Sequence, residues 1–161
     1  MTIPTLALAQ RVGRALAARG AMLVAAESCT GGLIAGAITD VAGSSAWFER
    51  GFVTYSNDAK IEMLGVRAAT LARYGAVSEP TAAEMAAGAL AHSRSAWAVA
   101  VTGVAGPDGG TAAKPVGMVC FGWAQRFGPA QTATHHFPGD RAAVRAATVE
   151  AALMGVLVRL D

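Results

Sequence analysis

Long apolar runs are missing from this 161-residue sequence, and so are runs of charge. No stretch approaches 18 uninterrupted apolar residues, which argues against a transmembrane helix. Pro4, Gln10, Arg11 and Arg14 interrupt the start of the chain. That is not the plan of a signal peptide, and a soluble cytoplasmic protein is expected. Cysteine is scarce. Cys29 and Cys120 are too few for a disulfide framework and fit a reduced compartment. With three scattered histidines they show no zinc-ligand spacing, so no metal or other cofactor is expected. Aromatic residues make up only 6%, and the 13 basic residues form no run or stripe. A net charge of +2 therefore does not point to nucleic acid.

Charged residues are also few, at 15%, against 53% hydrophobic. With a mean hydropathy of +0.41 the chain is not disordered. Its length suits one domain over residues 1–161, and no period of 20–50 residues repeats. The abundance of alanine, 38 residues, suggests a helix face that packs against a second copy, so a homodimer is expected. Lysine is the most telling scarcity. Eleven of the 13 basic residues are arginine, and only Lys60 and Lys114 are lysine. A lysine can lose its proton when buried, whereas an arginine effectively cannot.

Hydrophobic periodicity predicts helices over 5–19, 30–40, 58–64, 68–74, 81–93 and 141–159. Short apolar runs predict strands over 22–26, 48–55, 96–102, 116–124 and 132–137. This alternation implies an α/β fold with a mixed, mostly parallel sheet, the last two strands forming an antiparallel hairpin.

Four constellations could carry chemistry. The first is Glu27-Ser28-Cys29-Thr30-Gly31-Gly32, between a strand and a helix. A serine there can project over the sheet edge, and the free N–H groups of the helix start can hold an oxyanion or a phosphate. On a purely structural reading, Ser28 or Thr30 caps the helix and the glycines make a tight turn. Cys29 is a rival nucleophile, although His92, His135 and His136 are poorly placed to serve it.

The second is Tyr55-Ser56-Asn57-Asp58-Ala59-Lys60, again where a strand gives way to a helix. The helix dipole and desolvation would both push Lys60 toward the neutral amine. A neutral lysine beside a serine is a general base, and Tyr55 could hydrogen-bond either partner. Solvated, Lys60 would instead sit beside Asp58 or Glu62. The third constellation is the loop from Thr102 through Gly103, Ala105, Gly106, Gly109 and Gly110, which follows a strand where α/β folds bind ligands. Lys114 comes next and could anchor that loop. The fourth is Arg141 with Arg145, four apart on one helix face, a phosphate-sized pair of guanidiniums.

Four segments together resemble a known family: AESCTGGLIAGAITDVAGSSAWFERGFVTYSNDAKIEMLGV (26–66), GAVSEPTAAEMA (75–86), AVAVTGVAGPDGGTAAKPVGMVCFG (98–122) and FPGDRAAVR (137–145). They are similar to the C-terminal domain family of the competence/damage-inducible protein CinA, in order over about residues 5–159. The stand-alone enzymes of that family are nicotinamide-nucleotide amidohydrolases. The resemblance implies a three-layer α/β/α sandwich and hydrolysis of the carboxamide of nicotinamide mononucleotide, giving nicotinate mononucleotide and ammonia, in pyridine nucleotide recycling. It implies a metal-independent serine amidohydrolase with Ser28 as nucleophile, Lys60 as base and Tyr55 assisting. Asp108 and Ala112-Ala113 fall where the family varies or often carries an acidic residue.

The mechanism expected from these readings is an acyl-enzyme route. Backbone amides around Thr30, Gly31 and Gly32 would hold the oxyanion, and Thr102, Gly103, Ala105, Gly106, Gly109 and Gly110 would line the substrate pocket. Arg141 and Arg145 would hold the 5′-phosphate. The competing expectation is a non-catalytic nucleotide-binding module linked to competence or damage response, which would tolerate arginine at position 60.

Overall fold

A computed structural model describes residues 3–161. Its sheet has five strands: β1 (Leu23–Glu27), β2 (Phe48–Val53), β3 (Trp97–Gly103), β4 (Met118–Gln125) and β5 (Gln131–His136). They lie in the order β2-β1-β3-β4-β5. β1 pairs parallel with β2 and with β3, while β4 runs antiparallel to both its neighbours. Four strands therefore point one way and β4 the other, the mixed sheet expected.

Side chains alternate across the sheet as a two-residue period demands. Leu23 and Ala25 of β1 join one apolar cluster and Val24 and Ala26 the other. The first is covered by α1 (Ile3–Ala18), α2 (Leu33–Thr39) and α6 (Arg141–Leu160), through residues such as Val12, Ile38 and Leu153. The second is covered by α3 (Asn57–Leu64), α4 (Ala68–Tyr74) and α5 (Glu79–Ala91), through Leu64, Leu71 and Met85. This is the three-layer α/β/α arrangement. Truncating a fully buried side chain such as Leu153 to alanine would cost about 2–5 kcal/mol.

Two local details position the chemistry. Ser78 and Asp140 cap α5 and α6 by accepting from Thr81 N and Ala143 N, and Pro80 stands in the first turn of α5. At Gly88 an added Cβ would lie 1.9 Å from the Leu64 carbonyl oxygen. That glycine lets α5 touch the end of α3 and so sets the depth at which α3 seats Lys60.

Candidate active site

β1 leads to β2 on one side, through α2 on one face of the sheet. β3 lies on the other side of β1, reached through helices on the opposite face. A crevice opens at the carboxyl ends of strands where connections diverge in this way. Here it is a cleft of about 330 Å³. Ser28, Tyr55, Lys60, Thr102, Gly106 and Arg141 are among its lining residues.

Ser28 follows β1 directly, and its N–H donates to the Val101 carbonyl of β3. The turn after it is organised by a carboxylate. Glu27 is 1% exposed and accepts from Thr30 Oγ1 at 2.5 Å, Gly32 N at 3.2 Å, Ile34 N at 2.9 Å and Ala35 N at 3.0 Å. These amides belong to the start of α2, whose unpaired donors attract negative charge. Sequence reasoning missed this role, because a carboxylate on the last residue of a strand lies outside the usual cap position.

Lys60 is also 1% exposed. Its Nζ stands 3.0 Å from Ser28 Oγ and donates to the Thr54 carbonyl at 2.9 Å. No ion pair to Lys60 occurs among the described residues. Burial holds its pKa below the ordinary lysine value, and a charge on Cys29 would oppose this. That opposition is inactive at neutral pH, because burial pushes the Cys29 thiol up to about 11 and keeps it protonated. Cys29 is thus a poor nucleophile, and no histidine lines the cleft.

Other expectations change. Gly31 N–H donates to the Ser28 carbonyl and Gly32 N–H to Glu27, so neither amide is free for an oxyanion. Thr30 N–H has no acceptor among the described residues, but Thr30 is fully buried and does not line the cleft, whereas Cys29, whose N–H is equally unpaired there, does. Tyr55 OH accepts from Arg141 at 3.1 Å and bonds neither Ser28 nor Lys60. Arg141 also donates to the Gly106 carbonyl at 2.8 Å, tying the glycine loop to α6. Arg145 does not extend into this cleft. It donates to the Cys29 and Thr30 carbonyls, each at 3.1 Å, and so clasps the Ser28 turn.

Thr102, Gly103, Ala105, Gly106 and Gly109 line the cleft as expected. Gly110 does not: it packs against Val116, where an added Cβ would lie 2.9 Å from the Val116 nitrogen. Thr102 Oγ1 donates to the Ala76 carbonyl at 2.8 Å, fixing the opposite wall. Lys114 donates to the Tyr74 carbonyl and anchors the loop. Among the described residues no three His, Cys, Asp or Glu side chains group as a metal site.

The sequence matches the CinA C-terminal domain over residues 5–160. The chain belongs to the CinA C-terminal domain family. Within that family it is 60% identical over 138 residues to the nicotinamide-nucleotide amidohydrolase PncC of Escherichia coli strain K12, covering 86% of this chain and 84% of the relative. The PncC of Enterobacter agglomerans is equally similar over the same coverage. Among solved structures, the competence/damage inducible protein CihA of Agrobacterium tumefaciens superposes with a TM-score of 0.94 at 49% identity. That match covers 99% of each chain. A CinA superfamily protein of Klebsiella pneumoniae 700603 gives 0.93 at 44% identity, covering 97% of each chain. No helix among the described residues is long and apolar enough to cross a membrane.

Proposed function

We propose that this CinA-family domain hydrolyses the carboxamide of nicotinamide mononucleotide to nicotinate mononucleotide and ammonia, with Ser28 as nucleophile and Lys60 as general base. One observation carries the reading: a fully buried lysine with no ion-pair partner among the described residues stands 3.0 Å from a serine hydroxyl in the cleft. Burial favours the neutral amine, the form that can take a proton. The name of the PncC relatives supplies the substrate class.

Neutral Lys60 accepts the Ser28 proton as Oγ bonds to the amide carbon, and the carbonyl electrons move to oxygen. The Cys29 amide, which directly follows the nucleophile, belongs to a residue of the cleft lining and has no acceptor among the described residues, is assigned to that oxyanion. One such donor is typically worth about 3–4 kcal/mol in the transition state. The C–N bond breaks, and protonated Lys60 returns its proton to the departing ammonia. A water molecule then gives its proton to Lys60 and attacks the ester. Ser28 leaves with that proton, and the acid product is freed. Thr54 orients Nζ through its carbonyl. Arg141, at the exposed side of the cleft, is assigned to the 5′-phosphate, and Tyr55 holds its guanidinium.

The test is ammonia release from nicotinamide mononucleotide with EDTA present. Release that disappears in Ser28→Ala and in Lys60→Arg is the expected result. Folded wild-type protein that binds the nucleotide without releasing ammonia would favour a binding module.

A further inference from the structure

The proposed substrate is not uniformly anionic. Its nicotinamide ring is joined to ribose through nitrogen and carries a full positive charge, while the phosphate is negative. The cleft has matching polarity. Arg141 supplies a cation, and Asp108 is the sole carboxylate among the lining residues. Asp108 forms no hydrogen bond or ion pair with any described residue. Both guanidinium amino groups of Arg141 are directed elsewhere, to Gly106 and Tyr55. Gly109, in the left-handed region at φ 88°, turns the chain directly after Asp108. The loop itself is held by the Arg141 bond to Gly106 and the Lys114 bond to Tyr74.

Resting on the amidase reading above, we propose that Asp108 is a specificity residue that selects substrates whose carboxamide-bearing ring is cationic. Asp108 is exposed, yet at about 5 Å, in surroundings between water and protein in polarisability, its attraction for a fixed positive charge still shifts binding about tenfold without direct contact. With Lys60 neutral, Asp108 and Arg141 are the two charges that line the cleft. The ring cation is drawn to the first and the phosphate to the second, in the same cleft that Ser28 lines.

The experiment compares two ligands that share carboxamide, ribose and phosphate and differ in ring charge. One is nicotinamide mononucleotide. The other is benzamide riboside 5′-monophosphate, whose ring carbon replaces the charged nitrogen. Wild type, Asp108→Asn and Asp108→Glu are assayed for kcat/KM on the first and for competitive inhibition by the second. Asp108→Asn is expected to lose about tenfold in kcat/KM, leave Ki for the neutral ligand within twofold, and be rescued by Asp108→Glu. Equal losses for both ligands, or none for either, would overturn the assignment. Wild-type protein that binds both ligands and hydrolyses no nicotinamide mononucleotide would overturn the amidase reading beneath it.

Discussion

Lys60 Nζ and Ser28 Oγ meet at 3.0 Å, brought together across 32 residues by a strand end and the first turn of a helix. The lysine is buried and its hydrogen-bond partners are neutral, so its proton is loosely held. If it is the base, kcat/KM should rise with pH along a limb whose midpoint lies below the ordinary lysine value of 10.5. Activity is lost as pH falls through that midpoint, because the ammonium form cannot accept a proton. Lys60→Arg should reduce kcat by at least about a thousandfold while leaving nucleotide binding measurable. A midpoint at or above 10.5 would remove Lys60 from the base role.

The same burial destabilises the fold. The unfolded chain binds a proton at Lys60 up to the ordinary lysine value, whereas the folded protein gives it up at lower pH. Between the two values stability therefore rises with pH, and below the folded value the penalty is constant. Lys60→Met should raise Tm at pH 7 by about 2–6 °C, the equivalent of roughly 1–2 kcal/mol, while abolishing turnover. The gain should shrink as pH approaches 10.5, which thermal melts at several pH values will show.

Arg141 and Arg145 should separate in kinetics although they share a helix face. Arg141→Ala should raise KM for the nucleotide about ten- to a hundredfold and change KM for the riboside far less, because only the nucleotide offers a phosphate. Arg145→Ala should lower kcat on both substrates alike, since it loosens the Cys29 and Thr30 carbonyls beside the nucleophile. Equal KM effects of Arg141→Ala on the two substrates would argue against phosphate contact.

Glu27→Gln tests the turn itself. One carboxylate oxygen becomes an NH2 that faces backbone donors instead of accepting from them. Unsatisfied buried donors should cost about 2–4 kcal/mol, read as a lower urea midpoint with an unchanged slope. Turnover should fall at least about tenfold as the Ser28 turn relaxes.

Much of this arrangement is legible in the sequence because it depends on local pattern. The helix over 68–74 agrees residue for residue with α4, and the strand–turn–helix contexts of Ser28 and Lys60 are as expected. What the pattern does not carry is the destination of each polar group. Gly31 and Gly32 have the composition of an anion cradle, yet Glu27 takes the Gly32 amide and the Ser28 carbonyl takes that of Gly31. Spacing puts Arg141 and Arg145 on one face but does not say that they reach different segments, 35 and 116 residues away. Tyr55 sits in the right motif, yet its hydroxyl goes to Arg141 rather than to the serine–lysine pair. Such choices are made by tertiary packing, which a single sequence does not display.

The clasp of Arg145 on the Cys29 and Thr30 carbonyls also bears on how the protein is made. Ser28 leaves the ribosome early, but the guanidinium that steadies its turn arrives more than a hundred residues later. A contact of that range must close a large loop, so it forms late in folding. A nascent chain that still lacks α6 would hold the nucleophile and the base without the brace between turn and helix. The domain would then become competent only when its synthesis is nearly finished.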